Sequence, residues 1–175
     1  MSKALVVIDV QKAMFEDPRF LPFEGEIVVD RIAGLIAKAR AQNAPIFFVQ
    51  HDGGPGDSFG AGKPGFPFHD KLTPQPGDDV TVKTKSSAFH GTDLDAKLRR
   101  AGIGQLVITG MQSEYCVTSA IRGAYERGYT LTLASDAHST FDTKFAKGRD
   151  IVAIINDTTS GSFAKIVPSD EIDFG

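Results

Sequence analysis

The only cysteine of this 175-residue chain, Cys116, lies where a strand-like run gives way to a helix-like run. The apolar run before it stops at Gly110, and a helical pattern begins a few residues later. Unpaired N–H groups and the positive dipole end in the first turn of a helix favour a thiolate and lower the pKa of a cysteine. The same N–H groups can bind a developing oxyanion, so the pattern predicts a nucleophilic thiol. An inert, buried cysteine is the alternative that position alone leaves open.

Two other strand-like runs end in a charged residue: Asp9 follows one near the N-terminus, and Lys83 closes another. Ligands of open parallel sheets bind beyond the carboxyl ends of the strands, so both side chains should lie near Cys116. A carboxylate can act as general base toward a thiol, and a lysine can lower the thiol pKa. Singly, Asp9 also fits a helix cap, and Lys83 fits a solvated strand end. Together the three residues predict a nucleophile, a base and a cation.

The elements that would position these residues alternate between short apolar runs and helix-length segments. The predicted strands are Ala4–Ile8, Ile46–Gln50, Val80–Lys83, Leu106–Thr109, Thr130–Ala134 and Phe163–Val167. The predicted helices are Glu26–Gln42, Thr92–Ala101, a segment from Cys116 to near Gly128, and Arg149–Asn156. This alternation predicts βαβ units with right-handed crossovers. The expected fold is a single three-layer, Rossmann-like α/β domain over residues 1–175, with a six-stranded parallel sheet in the order 3-2-1-4-5-6 and helices on both faces.

The stretch His51–Asp79 interrupts this rhythm, because it is rich in glycine and proline. A segment of this length without regular structure is usually either functional or disordered. Its phenylalanines, Phe59, Phe66 and Phe68, favour a packed loop that covers something.

Composition narrows the class of protein. The apolar fraction of 41% and the charged fraction of 23% fit a soluble globular chain. A net charge of −3 without a basic stripe argues against a nucleic-acid partner or a membrane surface. One cysteine excludes an internal disulfide. The first apolar run meets Asp9 too soon for a secretory leader, and no stretch reaches transmembrane length, so we expect a cytoplasmic protein.

Three segments carry a family resemblance: LVVIDVQ, then KTKSSAFHGTDLDAKLRRAGIGQLVITGMQSEYCVTSAIRGAYERGY, then SDAHSTFD. They resemble the isochorismatase-like cysteine hydrolase family, over a span from Ala4 to Val167. GMQSEYCV and HDG are most similar to the amidohydrolase branch that includes streptothricin hydrolase-like proteins. The resemblance implies that Asp9, Lys83 and Cys116 form a catalytic triad.

The family lysine stands four residues before the serine of a Ser-Ala-Phe run, which here begins at Ser87. That spacing selects Lys83. Lys85 is the fallback, because residues two apart on a strand share a face and alternation does not separate them.

The turn before the cysteine has its own expectations. The resemblance implies a cis peptide bond between Met111 and Gln112, and an oxyanion hole formed by the N–H groups of Gln112 and Cys116. Ser113 fits a helix cap, and such a cap bonds an N–H two or three residues on. We expect that bond to go to Tyr115, because the N–H of Cys116 is needed for the oxyanion.

A metal is not expected. The nicotinamidase branch of the family uses an Asp-x-His…His cluster after the second strand, and the corresponding stretch here, QHDGGPGDSFG, lacks that spacing. His51, Asp52 and His69 would meet at a metal only if folding brought them together. The resemblance therefore implies no cofactor and no metal. His138 is expected to line the pocket mouth or to bond to its loop.

The predicted function is hydrolysis of a small-molecule amide or lactam C–N bond through a thioester. The substrate pocket is predicted to be walled by Phe15, Phe89, Tyr115, Phe141 and parts of the Gly/Pro-rich loop. The partners expected are a small-molecule substrate and further copies of the chain in a dimer or tetramer, with no nucleic acid and no membrane.

Other functions remain open at this stage. The same family contains vinyl-ether hydrolases of the isochorismatase type, which do not need the cysteine. A magnesium-dependent phosphohydrolase of the haloacid-dehalogenase type would use Asp9 and Thr109, but its second acid is replaced here by Gln11. A thiol-based binding or redox protein would lack a resolving cysteine.

Overall fold

Six strands build the central sheet in the computed structural model, which describes residues 2–175. They are β1 (Ser2–Ile8), β2 (Ile46–His51), β3 (Asp79–Lys83), β4 (Ile103–Met111), β5 (Thr130–Ser139) and β6 (Lys165–Val167). Their order is β3-β2-β1-β4-β5-β6, and every neighbouring pair is parallel. The predicted fold class and strand order are confirmed.

Four α-helices connect these strands within residues 2–175: α1 (Gly25–Ala41), α2 (Leu94–Arg100), α3 (Thr118–Glu126) and α4 (Gly148–Thr159). Short 3-10 turns occur at Lys12–Phe15 and Asp70–Leu72, and one π-helical turn spans Ser113–Val117. All four predicted helices exist. The helix predicted from Thr92 begins two residues later, because the Thr92 hydroxyl donates to the Ala88 carbonyl oxygen instead of capping it.

The sheet is covered on both faces, as the continuous apolar strands predict. Along β1, Ala4, Val6 and Ile8 pack with α2 and α3, whereas Leu5 and Val7 pack with α1. The Gly/Pro-rich loop joins the second of these cores, since Phe68 and Leu72 are buried beside α1. The expectation of a packed loop is confirmed.

The carboxyl edge of the sheet is where the strand order reverses. β1 lies between β2 and β4, so the carboxyl ends of β1 and β4 are adjacent at this edge. The last pair in that register is Ile8 with Gly110, and Asp9 follows directly. On the other flank, His51 at the end of β2 lies opposite Lys83 at the end of β3. Four strand ends therefore converge on one crevice, which is where ligands of such folds bind.

β5 is longer than predicted and bulges against β4. Ile108 pairs with Leu133, but Gly110 pairs with His138, so three more residues of β5 than of β4 lie between the two pairs. The bulge carries Asp136, whose carboxylate accepts bonds from the backbone N–H and hydroxyl of Ser169. As a result His138 reaches the carboxyl edge instead of lying beyond the strand.

No helix within residues 2–175 combines the length and the apolar character needed to cross a bilayer.

Candidate active site

Lys83 joins the other two predicted catalytic residues. Its Nζ lies 2.6 Å from Asp9 Oδ2 and donates to Cys116 Sγ at 3.3 Å. The ammonium also donates to the carbonyl oxygen of Lys85 at 3.0 Å, so one ion pair and two hydrogen bonds hold it. The Lys83 and Asp9 side chains are almost completely buried, which fixes the lysine in this position. Lys85 is exposed and contributes only its backbone.

Asp9 occupies a special backbone position at the end of β1. Its φ is 51°, in the left-handed region that aspartate tolerates better than most residues. Its N–H still donates to the Val49 carbonyl oxygen at 2.9 Å, so the strand register holds while the side chain turns over the crevice. Burial raises the pKa of the Asp9 carboxyl, and the charge of Lys83 opposes that rise. Asp9 Oδ1 is buried without a hydrogen-bond partner among residues 2–175, which leaves one oxygen able to accept a proton.

Cys116 has a raised pKa, which contradicts the shift expected from its place at a helix start. Burial and the negative charge of Asp9 raise the pKa of the thiol to about 12, although Lys83 lowers it. The sequence-based expectation was that the helix start, the free N–H groups and Lys83 would outweigh burial and Asp9; in the structure burial and Asp9 outweigh them. The resting thiol is therefore protonated, and its ionisation must be coupled to a proton acceptor.

The turn before Cys116 contains the cis peptide bond between Met111 and Gln112 that the family resemblance implies. The π-helical turn then begins at Ser113 with no side-chain cap. The predicted cap is wrong, because the N–H groups of Tyr115 and Val117 donate instead to the Gln112 carbonyl oxygen. The N–H of Cys116 lies between those two.

Ser113 is instead part of a buried chain of hydrogen bonds. Its Oγ lies 2.8 Å from His138 Nδ1, and His138 Nε2 lies 3.0 Å from Asn156 Oδ1. The Asn156 amide donates to the Ser135 carbonyl oxygen, so its Oδ1 faces the imidazole as an acceptor. Nε2 must then carry the proton and Nδ1 accepts from Ser113. Burial lowers the pKa of His138, so the imidazole is neutral as this chain requires.

A pocket of about 300 Å³ opens beside the triad. Its polar lining residues are Asp9, His51, Asp57, Ser86, Gln112 and Cys116. Its apolar lining residues are Met14, Phe59 and Tyr115. Two other cavities of similar or larger size, at the amino edge of the sheet and beside α1, contain none of the triad. The pocket beside Cys116 is the candidate substrate site, because it alone among these places the Cys116 thiol on its wall.

Of the four predicted pocket residues, Tyr115 lines this pocket and the other three do not. Phe89 is buried in the core with its ring against Tyr129. Phe15 lines the separate cavity beside α1, and Phe141 packs against the core on that side. Aromatic character alone did not distinguish a pocket wall from a core face.

The sequence reasoning did not single out three polar lining residues, His51, Asp57 and Ser86, although it expected parts of the Gly/Pro-rich loop at the pocket. A signal existed for His51, since it ends β2 at the same edge at which Asp9 and Lys83 end their strands. Asp57 had no local signal, because only the folding of the Gly/Pro-rich loop brings it to the pocket.

The residues weighed for a metal do not meet. No group of three or more His, Cys, Asp or Glu side chains in residues 2–175 could hold a metal ion. Asp52 Oδ1 accepts from the N–H groups of Gly54 and Ala61, and His69 Nε2 lies 3.3 Å from Glu26 Oε1. Asp52 is bonded within its own loop and His69 is paired with α1, so neither lines the pocket.

Gln11, at the position where a phosphohydrolase would need an acid, is also fully used. Its amide donates to the carbonyl oxygens of His51 and Phe66 and accepts from the His51 N–H. It is buried and holds the Gly/Pro-rich loop against β2, so it has no freedom to act on a substrate.

Comparison with known proteins gives the same family throughout. Residues 3–157 match the isochorismatase domain. A streptothricin hydrolase of Streptomyces noursei is 36% identical over 98% of this chain and 61% of its own length. The ureidoacrylate amidohydrolase RutB of Methylorubrum extorquens is 32% identical over 76% of this chain and 68% of its own length. A second streptothricin hydrolase aligns over 58% of its length, so the chain spans about three fifths of these two relatives.

Solved structures agree with the fold. An isochorismatase family protein from Burkholderia thailandensis superposes with a TM-score of 0.84 at 30% identity, covering 98% of this chain and 93% of that one. Another, from Desulfovibrio vulgaris, superposes with a TM-score of 0.85 at 28% identity, covering 97% of this chain and 95% of that one.

Proposed function

The chain belongs to the isochorismatase family, and we propose that it is a cysteine hydrolase that cleaves the carbon–nitrogen bond of a small amide or lactam. The observation that carries this proposal is the position of Lys83 Nζ, which is 2.6 Å from Asp9 Oδ2 and 3.3 Å from Cys116 Sγ on the pocket wall. The relatives named streptothricin hydrolase and ureidoacrylate amidohydrolase support an activity on C–N bonds.

In the proposed acylation step, the Cys116 sulfur attacks the substrate carbonyl carbon as its proton passes to Asp9. The two raised pKa values favour this coupling, because a buried carboxylate accepts a proton readily and a free thiolate is costly. The oxyanion is held by the N–H groups of Gln112 and Cys116. Asp9 then gives its proton to the leaving nitrogen as the C–N bond breaks, which leaves a thioester on Cys116.

Deacylation reverses the roles. Asp9, again a carboxylate, takes a proton from water while the hydroxide adds to the thioester carbon. Collapse of that adduct releases the carboxylic acid and returns the proton to sulfur. Lys83 lies beside both groups and compensates whichever of them carries the negative charge.

A vinyl-ether hydrolase of the isochorismatase type is the second candidate within the family. That reaction does not need a thiol, and here the thiol is held by Lys83 on the pocket wall. The position of Cys116 therefore favours the amide. The phosphohydrolase alternative has no support, because Gln11 is buried and fully bonded.

The test is a screen of small amides, imides and lactams with wild type, Cys116→Ala, Lys83→Met and Lys85→Met. We expect wild type and Lys85→Met to hydrolyse the same compounds, and the other two variants to lose turnover by about 10³-fold or more. Mass spectrometry of a rapidly quenched reaction should find one acyl group on Cys116. A Cys116→Ala protein that keeps full turnover of an amide would refute the thioester.

Assembly into a dimer or tetramer stays a prediction, which light scattering measures directly.

A further inference from the structure

The pocket beside Cys116 contains one carboxylate that nothing in residues 2–175 neutralises. The charge of Asp9 is compensated by Lys83 at 2.6 Å. Asp57, also on the pocket wall, is exposed, and no lysine or arginine nitrogen of residues 2–175 lies within ion-pair distance of it. No Lys or Arg is among the lining residues. Asp57 therefore leaves an uncompensated carboxylate charge on the wall.

The position of Asp57 is fixed by its surroundings. Its Oδ1 accepts from the N–H of Phe59 at 2.8 Å, and its own N–H donates to the Gly54 carbonyl oxygen. The side chain lies against the backbone at Gly53, where an added Cβ would come within 2.4 Å of Asp57 Cγ. A glycine at position 53 is therefore needed for the carboxylate to lie where it does.

Two aromatic rings belong to the same wall. Phe59 follows Asp57 by two residues and packs edge-on against His51, with ring centroids 6.0 Å apart. Tyr115 lies in the π-helical turn Ser113–Val117, directly before Cys116, and is 55% exposed. A carboxylate combined with aromatic faces is the chemistry that binds ammonium groups, through ion pairing and cation–π attraction.

From these features we propose that the site selects amides or lactams that carry a positively charged group near the scissile bond, and that Asp57 is the residue that determines this preference. The inference rests on the proposed hydrolase function and names its substrate class. A carboxylate in the same position would be repelled by Asp57 and would find no basic side chain on the wall.

The single cysteine allows a test that does not depend on finding the substrate. Cys116 is treated at pH 8 with two methanethiosulfonates of similar size, one bearing a trimethylammonium group and one bearing a sulfonate. The sulfur of Cys116 attacks the sulfenyl sulfur of either reagent, forms a mixed disulfide and releases methanesulfinate. Each rate is divided by the rate of the same reagent with 2-mercaptoethanol, so that intrinsic reactivity cancels.

We expect the normalised ratio of the cation rate to the anion rate to exceed one in wild type and to fall about five- to ten-fold in Asp57→Asn. The cationic reagent loses an attraction to Asp57 and the anionic reagent loses a repulsion, each as strong as an exposed ion pair. Asparagine keeps the acceptor for the Phe59 N–H and removes only the charge. The matched control is Glu126→Gln, which removes an exposed acid at the far end of α3 and should leave the ratio unchanged.

A wild-type ratio below one, or a ratio that Asp57→Asn does not change, would overturn the proposal. Hydrolysis is measured in parallel with three amides of one length that end in an ammonium, a hydroxyl or a carboxylate. Turnover of the neutral amide without preference for the ammonium would refute the substrate class and leave the hydrolase intact. The expected labelling ratio without turnover of any amide would refute the hydrolase and leave the charge selectivity of the pocket intact.

Discussion

Ile8 and Gly110 lie directly opposite each other at the ends of β1 and β4, and no side chain fits at position 110. A Cβ there would approach the Ile8 carbonyl oxygen to 2.1 Å, and the φ of Gly110 is +123°. Asp9 follows Ile8 in the chain, and the turn that carries Cys116 follows Gly110. The close contact therefore sets the distance between the proposed base and the proposed nucleophile.

Gly110→Ala should lower the free energy of unfolding by more than about 2 kcal/mol, because it combines backbone overlap with an unfavourable φ. Urea denaturation measures the loss. Gly34→Ala is the matched control, since Gly34 lies in α1 with open space around it, and it should gain about 0.5–1 kcal/mol from helix propensity. A Gly110→Ala protein as stable and as active as wild type would contradict the importance of this contact.

The buried Asp9–Lys83 pair should give strongly non-additive stabilities. Lys83→Met leaves a buried carboxylate without its cation and should cost about 3 kcal/mol. Adding Asp9→Asn should recover at least about 2 kcal/mol of that loss, since a neutral buried pair needs no compensation. Asp9→Asn, Lys83→Met and the double variant should all be inactive. Additive effects in urea denaturation would mean that the two charges are not coupled.

The same pair has a pH signature. The pKa of Asp9 is raised above its ordinary value of 3.8 by burial, so the folded state binds that proton more tightly than the unfolded chain. This contribution to the free energy of unfolding is fully present below pH 3.8. It is lost as the pH rises through the pKa that Asp9 has in the folded protein. Because Lys83 opposes the rise, Lys83→Met should lose more stability between pH 4 and pH 7 than wild type does.

The convergence of the strand ends at one edge could be predicted from the sequence, because it follows from the topology of a parallel sheet. Parallel strands with apolar runs bring Asp9, Lys83 and the Cys116 turn to one edge, whatever the loops do. The bulge in β5 could not be predicted, because Asp136 is held there by Ser169, which is 33 residues away. Asp57 was missed for the same physical reason, since its place depends on contacts between a long loop and the sheet.

His138 is the residue that this bulge brings to the site, and its protonation should be visible in stability. Its pKa lies below the ordinary 6.5 because the imidazole is buried. As the pH falls, His138 is therefore protonated in the unfolded chain before it is protonated in the folded protein. The free energy of unfolding decreases from pH 6.5 downward until the pH passes the pKa of His138 in the folded protein. Between pH 7.5 and pH 5.5, wild type should lose about 1 kcal/mol more than His138→Gln does.

The control for this measurement is His90→Gln, because His90 is exposed. It should keep the wild-type pH dependence. Urea denaturation at the two pH values measures all three proteins, and an equal loss in wild type and His138→Gln would mean that the imidazole is not held neutral by the Ser113–His138–Asn156 chain.

The reactivity of Cys116 should be limited by Asp9 and not by access. The pKa of the thiol, raised to about 12 by burial and by the Asp9 charge, predicts that wild type reacts with iodoacetamide at pH 7.5 more slowly than free cysteine does. In Asp9→Asn the opposing charge is gone and Lys83 remains 3.3 Å from the sulfur, so the thiol pKa should fall. Alkylation should then be at least about three-fold faster for each unit of that fall, since nucleophilicity declines only in part as the thiolate fraction rises. Hydrolysis should be lost in the same protein, because the proton acceptor is absent.

Mass spectrometry after timed quenching follows the single label, with Cys116→Ser as the unlabelled control. If Asp9→Asn reacts no faster than wild type, the carboxylate does not hold the thiol in its protonated form, and the coupling of proton transfer to attack has to be abandoned.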